Sequence, residues 1–494
     1  MDMEEAEKST YRQILKATGV FGGVQVFSIV INLLKSKIIA FFLGPEGVGI
    51  YSLFQNPVQL ISQISGLGIN TSAIRDVAQC VDNETEQAKT VKTVRAWSRI
   101  TGAIGALFLL FAAPQISCWT FGNGNYAMDF RFLSIAVFLI ALGNENDVIL
   151  KGRRKIVYIA KAGVYSSLCG LIVSAPLYYF FGKDGVAATI ILTFFAVYFF
   201  NRYFASKDAV VPVALDAKEL FRRGKEMASL GSMMVLASVI DTMAMYIINL
   251  FIRSRGDLVD VGLFQAGMQM TNVSISLVYT AMASDYYPRL SAVCYDRNES
   301  NKLINQQAEI AALIATPIIL CMMTFAPLLI RILLSPTFIP MQTLIHWLLL
   351  AAVLQASTWT IHYVLLAHGD TKSFFWLVTI TKGLLLLFCP IGYLLFQLEG
   401  LGIGYLLMLV VNGVMMYVYI HKKYGIQFFA PFVRLLIVSF VTALVVFLII
   451  RILPASWAYA VNSMLVLLIT RRFIKELDSR THILLYIKKK LSRE

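Results

Sequence analysis

Charge is scarce in this chain: Asp, Glu, Lys and Arg make up 15% of its 494 residues, against 58% apolar ones, and the mean hydropathy is +0.69. A water-soluble fold cannot hide that much apolar surface, because its exterior must stay polar. Histidine is rarer still, with 5 residues and no HExxH or other ligand spacing, so no metal is expected. The 6 cysteines (Cys80, Cys118, Cys169, Cys294, Cys321 and Cys389) are scattered, most of them in apolar runs. They read as small packing residues, not disulfides or zinc ligands. There is no Walker A sequence, so nothing points to ATP hydrolysis and no cofactor is expected. No loop is long enough for a soluble catalytic domain, which weighs against a polymerase or ligase. The opening MDMEEAEKSTYRQ lacks the apolar run and cleavage site of a signal peptide, so the first helix is expected to be its own insertion signal.

What is there is apolar length. A bilayer core about 30 Å thick takes about 20 residues of helix, and fourteen runs of that kind can be drawn between Ile14 and Thr470. The expected fold class is all-α, a polytopic membrane protein of two six-helix lobes plus two C-terminal helices. The corresponding boundaries are residues 1–205 for the first lobe, 206–229 for an amphipathic cytoplasmic linker, and 230–421 for the second lobe. The added pair falls at 422–474 and a basic tail at 475–494. The net charge of +14 punctuates the apolar runs and shows no basic cluster interleaved with aromatics, so no nucleic-acid partner is expected. Loops after even-numbered spans carry the cations, among them Arg153, Arg154, Lys155 and the stretch Lys218–Lys225. The opposite loops GPEGVG, GNGNYAM, SPTFIPM and QLEG carry none, and only Lys183, Arg253, Arg255 and Arg451 break the pattern. The positive-inside rule then puts both termini in the cytoplasm.

An internal repeat supports the two-lobe reading. GVGIYSLFQ (Gly47–Gln55) resembles DVGLFQAG (Asp260–Gly267), and at that offset Ser52, Asn56, Gln59 and Gln63 fall on Gln265, Gln269, Asn272 and Ser276. Both sets keep the spacing of one helix face. Two polar stripes in register argue for a hydrated cavity between related halves. Span one adds Gln25, Ser28, Asn32, Lys35 and Ser36, span seven adds Ser238, Asp241, Thr242 and Asn249, and span ten adds Gln355, Thr358 and His362.

Charges at membrane depth are costly and usually face a polar interior. Lys35 lies on the stripe of span one and Lys37 on the opposite side, where snorkelling to the interface is an equal alternative. Arg75 and Asp76 close span two, and Asp285 and Arg289 have the spacing of a local pair. Asp241 has no local partner within one turn, and Lys161 and Lys382 are deep in spans five and eleven. Asn144, Glu145, Asn146 and Asp147 are expected at the interface, next to KGRRK.

LGPEGVGIYSLFQ (Leu43–Gln55), LGINTSAIRDVAQ (Leu67–Gln79), LKGRRK (Leu150–Lys155), VGLFQ (Val261–Gln265), DYYPRLSAV (Asp285–Val293) and LLSPTF (Leu333–Phe338) occur in this order. In order and spacing they resemble the O-antigen and related lipid-linked oligosaccharide flippases, the polysaccharide transporter branch of the multidrug/oligosaccharidyl-lipid/polysaccharide exporter superfamily. The resemblance runs from about Ala17 to His421. It implies alternating access, an electropositive cavity and an undecaprenyl-pyrophosphate glycan as substrate, in the bacterial inner membrane. Such a substrate needs cations for phosphate, a roomy hydrated space for sugars and a lateral opening for its tail. The substrate-binding candidates are accordingly Asn32, Lys35, Lys37, Gln59, Arg75, Lys161, Asn272 and Lys382, with Asp241 and Asp285 for ion coupling. The same two acids keep a cation-coupled drug exporter open as the alternative. A monomer surrounded by membrane lipids is expected, working beside a polysaccharide polymerase and a chain-length regulator. The family's basic residue before the FGP-like turn matches Lys37 by position, whereas periodicity favours Lys35. Many members end after twelve spans; in the related lipid II flippases two added helices form a groove for the lipid tail.

Overall fold

The computed structural model describes residues 2–80, 83–207 and 213–481. Every regular element among them is helical: α1 (Asp2–Ser65), α2 (Ile69–Gln79), α3 (Glu84–Phe121), α4 (Ala127–Gly152), α5 (Ile156–Phe181), α6 (Gly185–Ser206), α7 (Ala217–Arg255), α8 (Leu258–Val293), α9 (Arg297–Thr324), α10 (Ala326–Leu333), α11 (Gln342–Ala367), α12 (Thr371–Tyr424), α13 (Ala430–Ile452) and α14 (Ala455–Thr481). Among the described residues, nine helical stretches are long and apolar enough to cross a bilayer. With the sides of many helices carrying exposed Phe, Leu, Ile and Val, the chain is a multi-pass membrane protein.

Helix lengths show where the chain turns. A straight helix of 64 residues like α1 would run about 96 Å, some three bilayer cores. It is broken at Gly44, where φ is 64° and ψ −165°, in the cation-free GPEGVG loop. The 54-residue α12 is broken at Phe396 and Gln397, the latter at φ 52°, in the cation-free QLEG loop. Beyond the break its two arms lie against each other. A side chain on Gly392 would run into the backbone of Gly400, one on Gly400 into Gly392, and one on Gly404 into Phe388. Only glycine lets two membrane helices approach so closely. The open end of this hairpin is tied by Asp370, which accepts from Lys423 and, at 2.6 Å, from Tyr424.

The chain forms two compact units, one comprising Met1–Gly262 with Leu333–Ser335, the other Leu263–Ile332 with Pro336–Glu494. In the first, α3 packs on α4, α4 on α6 and α6 on α5, with α1 laid chiefly against α5. A knot of rings (Phe54, Phe121, Tyr126 and Phe130) closes one end, with centroids 4.0–6.2 Å apart. Such ring pairs add roughly 0.5–1.5 kcal/mol each beyond their burial. The expected amphipathic segment is continuous with the following span: α7 starts at Ala217 and runs unbroken to Arg255. Its first turns are held on α3, where Arg223 bonds Glu86 at 2.8 Å and Trp97 donates to the Leu220 carbonyl at 3.1 Å.

In the second unit α11 is the buried centre, packed by α9, α12 and α13. One end is pinned by Glu399, which accepts from Trp347 at 2.8 Å and pairs with Arg451. At the other, Asn305 ties α9 to the linker before α13 through Gln427 and Phe429, both at 2.8 Å. All six cysteines are free.

Candidate functional site

The stripe on the second arm of α1 splits by depth. Ser52 bonds back to the Val48 carbonyl at 2.9 Å, while the Asn56 amide nitrogen is buried with no hydrogen-bond partner. Gln59 is half-buried. Gln63 accepts from the Thr242 hydroxyl at 3.1 Å, so two polar faces singled out by periodicity, on α1 and α7, meet inside the first unit. Asp241, beside Thr242, is exposed.

Before the break, α1 positions the two lysines differently. Lys37 is exposed, as is Asn32, whereas Lys35 is half-buried and laid across α5. A Cβ added to Gly170 would stand 2.7 Å from the Lys35 Nζ, 3.2 Å from its Cε and 3.3 Å from the Thr193 Oγ1. The missing side chain at Gly170 is therefore what gives the ammonium its seat between α1, α5 and α6. Lys161, nearer the start of α5, is exposed, and Arg75 pairs with its neighbour Asp76 at 3.0 Å. Gln25 and Ser28 have side chains outside the described set.

In the second unit Asn272 is exposed and Ser276 bonds back to Val273 at 3.2 Å. Lys382 on α12 is half-buried and an electrostatic neighbour of His362 on α11. Asp285 and Arg289 form a local pair at 3.1 Å, 69% and 57% exposed, a geometry that contributes about 0–1 kcal/mol.

Three features escaped the sequence reading. An aromatic cluster of Tyr279, Tyr286, Tyr287, Trp359 and Tyr363 joins α8 to α11, with Tyr279 stacked on Trp359 at 5.2 Å. The Trp359 Nε1 and the Tyr279 hydroxyl are buried in it without partners, an arrangement normally resolved by a ligand or water. Its signal was the i, i+4 spacing of Trp359 and Tyr363. Second, Glu145 is fully buried, not interfacial in the sense of being solvated, and pairs with Arg99 of α3 at 3.3 Å. Third, a pocket of about 390 Å³ at the Gly44 end of the first unit is lined by Glu46, Asn123, Tyr126, Arg253 and Asp257. There Lys183 pairs with Glu46 at 2.6 Å, while the Arg253 guanidinium lies on Gly122.

Among the described residues no group of His, Cys, Asp and Glu could hold a metal. The first unit offers amides and hydroxyls along helix faces and an ammonium seated by a glycine; the second offers an exposed amide, Asn272, and buried aromatic donors without acceptors. Fold and polar faces together define an all-α polytopic transporter-like membrane protein. A family model described as "Polysaccharide biosynthesis protein" matches residues 21–343, and the chain belongs to that family. It is 23% identical over 348 residues to a lipid III flippase of Escherichia coli strain K12, which covers 69% of this chain and 82% of the relative. A protein of the same name from Shigella flexneri matches with the same figures. Among solved structures, the lipid II flippase MurJ in an inward closed conformation superposes with a TM-score of 0.71 at 16% identity, over 93% of this chain and 99% of the other. An inward-facing MATE family transporter of the MOP superfamily gives 0.68 at 17% identity, over 81% and 94%. These likenesses establish the fold.

Proposed function

We propose that the protein is a flippase that moves an undecaprenyl-pyrophosphate-linked oligosaccharide, a repeat unit of O-antigen or a related surface polysaccharide, from the inner to the outer leaflet of the bacterial cytoplasmic membrane. The observation that carries this reading is the seat of Lys35: a cation held half-buried in the first unit, on the helix that bears the Asn32 face, in a chain of the polysaccharide biosynthesis family. A drug exporter of organic cations would place acids there instead. Lys35 is the leading phosphate contact; Lys37, Arg75, Lys161 and Lys382 are further cations for the anionic headgroup. Asn32 and Gln59 in the first unit, and Asn272 in the second, meet sugar hydroxyls.

Without a nucleotide-binding motif, the driving force is an ion gradient or consumption of the product outside, with Asp241 and Asp285 as the acids for coupling. The chain transports and does not catalyse. Fourteen crossings follow if the arms of α1 on either side of Gly44, α5 and α6, and the two arms of α12 each span once, with α3, α4, α7, α8, α9, α11, α13 and α14. Both termini are then cytoplasmic, consistent with the loop cations. The two lobes are residues 1–205 and 230–421, and the protein works as a monomer beside a polymerase and a chain-length regulator.

Deleting the gene tests the reading. Complete lipid-linked repeat units should accumulate on the cytoplasmic face. An unchanged glycan with altered toxin sensitivity would indicate the drug exporter, and single repeats exposed outside would indicate a polymerase.

A further inference from the structure

A second basic site lies far along the chain from Lys35, on the two C-terminal helices. α13 and α14, joined by a short turn, run antiparallel: Asn462 donates to the Val446 carbonyl at 3.3 Å, and Leu435, Val438, Ile469 and Phe473 share one apolar cluster. At the end where α13 begins, they part to leave a groove of about 570 Å³, within the roughly 300–1,000 Å³ usual for small-molecule sites. Its floor is apolar: Phe473 is 1% exposed, Leu435 5%, and Val438 continues it along α13. Its rim is not. Arg434 projects from α13 and Arg472 from α14, both exposed, and among the described residues neither guanidinium makes a hydrogen bond or ion pair. Glu476 completes the rim and has an interaction of its own.

Two solvated guanidiniums on one small groove offer an anion two donor forks at once. Their planar donor forks match phosphate oxygens. The apolar lining favours a lipid over a free phosphate, since the accessible Pro431 and Val438 offer nothing to a fully hydrated ion and a surface to a hydrocarbon chain. Arg434 stands one turn inside the start of α13, a helix long and apolar enough to cross a bilayer, at the level where lipid phosphates lie and long basic side chains reach them. α12 ends at Tyr424 and α13 starts at Ala430, so this end is shared with the basic turn His421–Lys423.

We propose that Arg434 and Arg472 form a binding site for an anionic glycerophospholipid, phosphatidylglycerol in type. The phosphodiester sits between the two guanidiniums, a headgroup hydroxyl donates to Glu476, and the start of one acyl chain lies on Pro431 and Val438. The bound lipid fills the space between α13 and α14 and fixes how the added helices stand against α9, whose Ala312 and Leu313 share their cluster. The site is independent of which solute the protein carries.

The test is native mass spectrometry of the purified full-length protein released from mixed vesicles of phosphatidylglycerol and phosphatidylethanolamine. The wild type should retain phosphatidylglycerol at least fivefold over phosphatidylethanolamine. Arg434→Gln with Arg472→Gln should abolish that preference, and Arg434→Lys with Arg472→Lys should keep part of it, since charge remains while the fork is lost. A thermal melt of each variant separates misfolding from lost binding, because the lysine pair controls for packing. Equal retention of the two lipids by the wild type, or an unchanged preference in the glutamine pair, would overturn the proposal. So would displacement of the lipid by inorganic phosphate alone at millimolar concentration, which would make the groove a simple anion site.

Discussion

Gly170→Ala is the sharpest perturbation of the Lys35 seat, because it leaves the lysine in place and removes only the space it occupies. The new methyl would stand 2.7 Å from the ammonium and 3.2 Å from Cε, closer than van der Waals contact allows. The near atoms belong to the far end of a flexible side chain, so the chain yields by swinging away, and the fold should lose under about 1 kcal/mol. A phosphate contact tolerates less. A charge-assisted hydrogen bond contributes about 1.5–3 kcal/mol, which at 1.4 kcal/mol per decade is roughly 10- to 150-fold in binding. Partial misplacement by alanine should therefore lower transport several-fold, valine at the same position should lower it further, and Lys35→Ala should approach the full loss. Lys35→Arg should recover part, because the charge survives in a bulkier planar head. The assay is complementation of a deletion strain, scored by surface polysaccharide at matched protein level. If Gly170→Val and Lys35→Ala both transport like the wild type, Lys35 is not the phosphate contact, and the role passes to Lys37, Arg75, Lys161 or Lys382.

Two further outcomes follow from the fold. A cysteine placed at Gly124 should react with an impermeant thiol reagent from outside the cell and one at Asn298 should not; the reverse labelling would invert the orientation. Burial acts to raise the Asp370 carboxyl, but hydrogen bonds from Lys423, Ser373 and Tyr424 outweigh it and hold the group well below the usual carboxylate range. A carboxyl depressed in the fold contributes stability that is present above its unfolded value of 3.8 and is lost as pH falls through its folded value. Asp370→Asn should thus lower the melting temperature near neutral pH, by an amount corresponding to roughly 1 kcal/mol because the clasp is partly exposed, and the gap to wild type should close in strong acid. An equal gap at all pH values would contradict the clasp.

The charge pattern was legible, and so were its exceptions, but not their reasons. Lys183 and Arg451 stood out as cations on the wrong side; the structure gives each a carboxylate, Glu46 and Glu399, supplied by a distant segment. Such pairing is invisible to any local spacing rule. Both chain breaks at Gly44 and Gln397 fell in loops read from missing cations, since a membrane loop must carry turn residues and little apolar length. The polar faces were readable because helical periodicity survives in the membrane, and Gln63 and Thr242 indeed touch. Periodicity could separate Lys35 from Lys37 but could not show Gly170, whose relevance is an absent side chain on another helix. The aromatic cluster on Trp359 was obscured by abundance: with aromatics at 12% of the chain, ring residues at helical spacing read as packing. In sequence Glu145 reads as an interfacial acid because its partner, Arg99, lies on the preceding long helix.

The central claim is that this chain alone moves a lipid-linked oligosaccharide across a bilayer. Its most direct test is the purified protein in sealed vesicles loaded with the undecaprenyl-pyrophosphate-linked repeat unit extracted from the deletion strain. The rate at which the glycan reaches an impermeant glycosidase outside is then followed. Wild-type vesicles should expose glycan from the inner leaflet far faster than protein-free vesicles, with Lys35→Ala close to the protein-free rate. Equal rates with and without wild-type protein, under both proton and sodium gradients, would contradict the account.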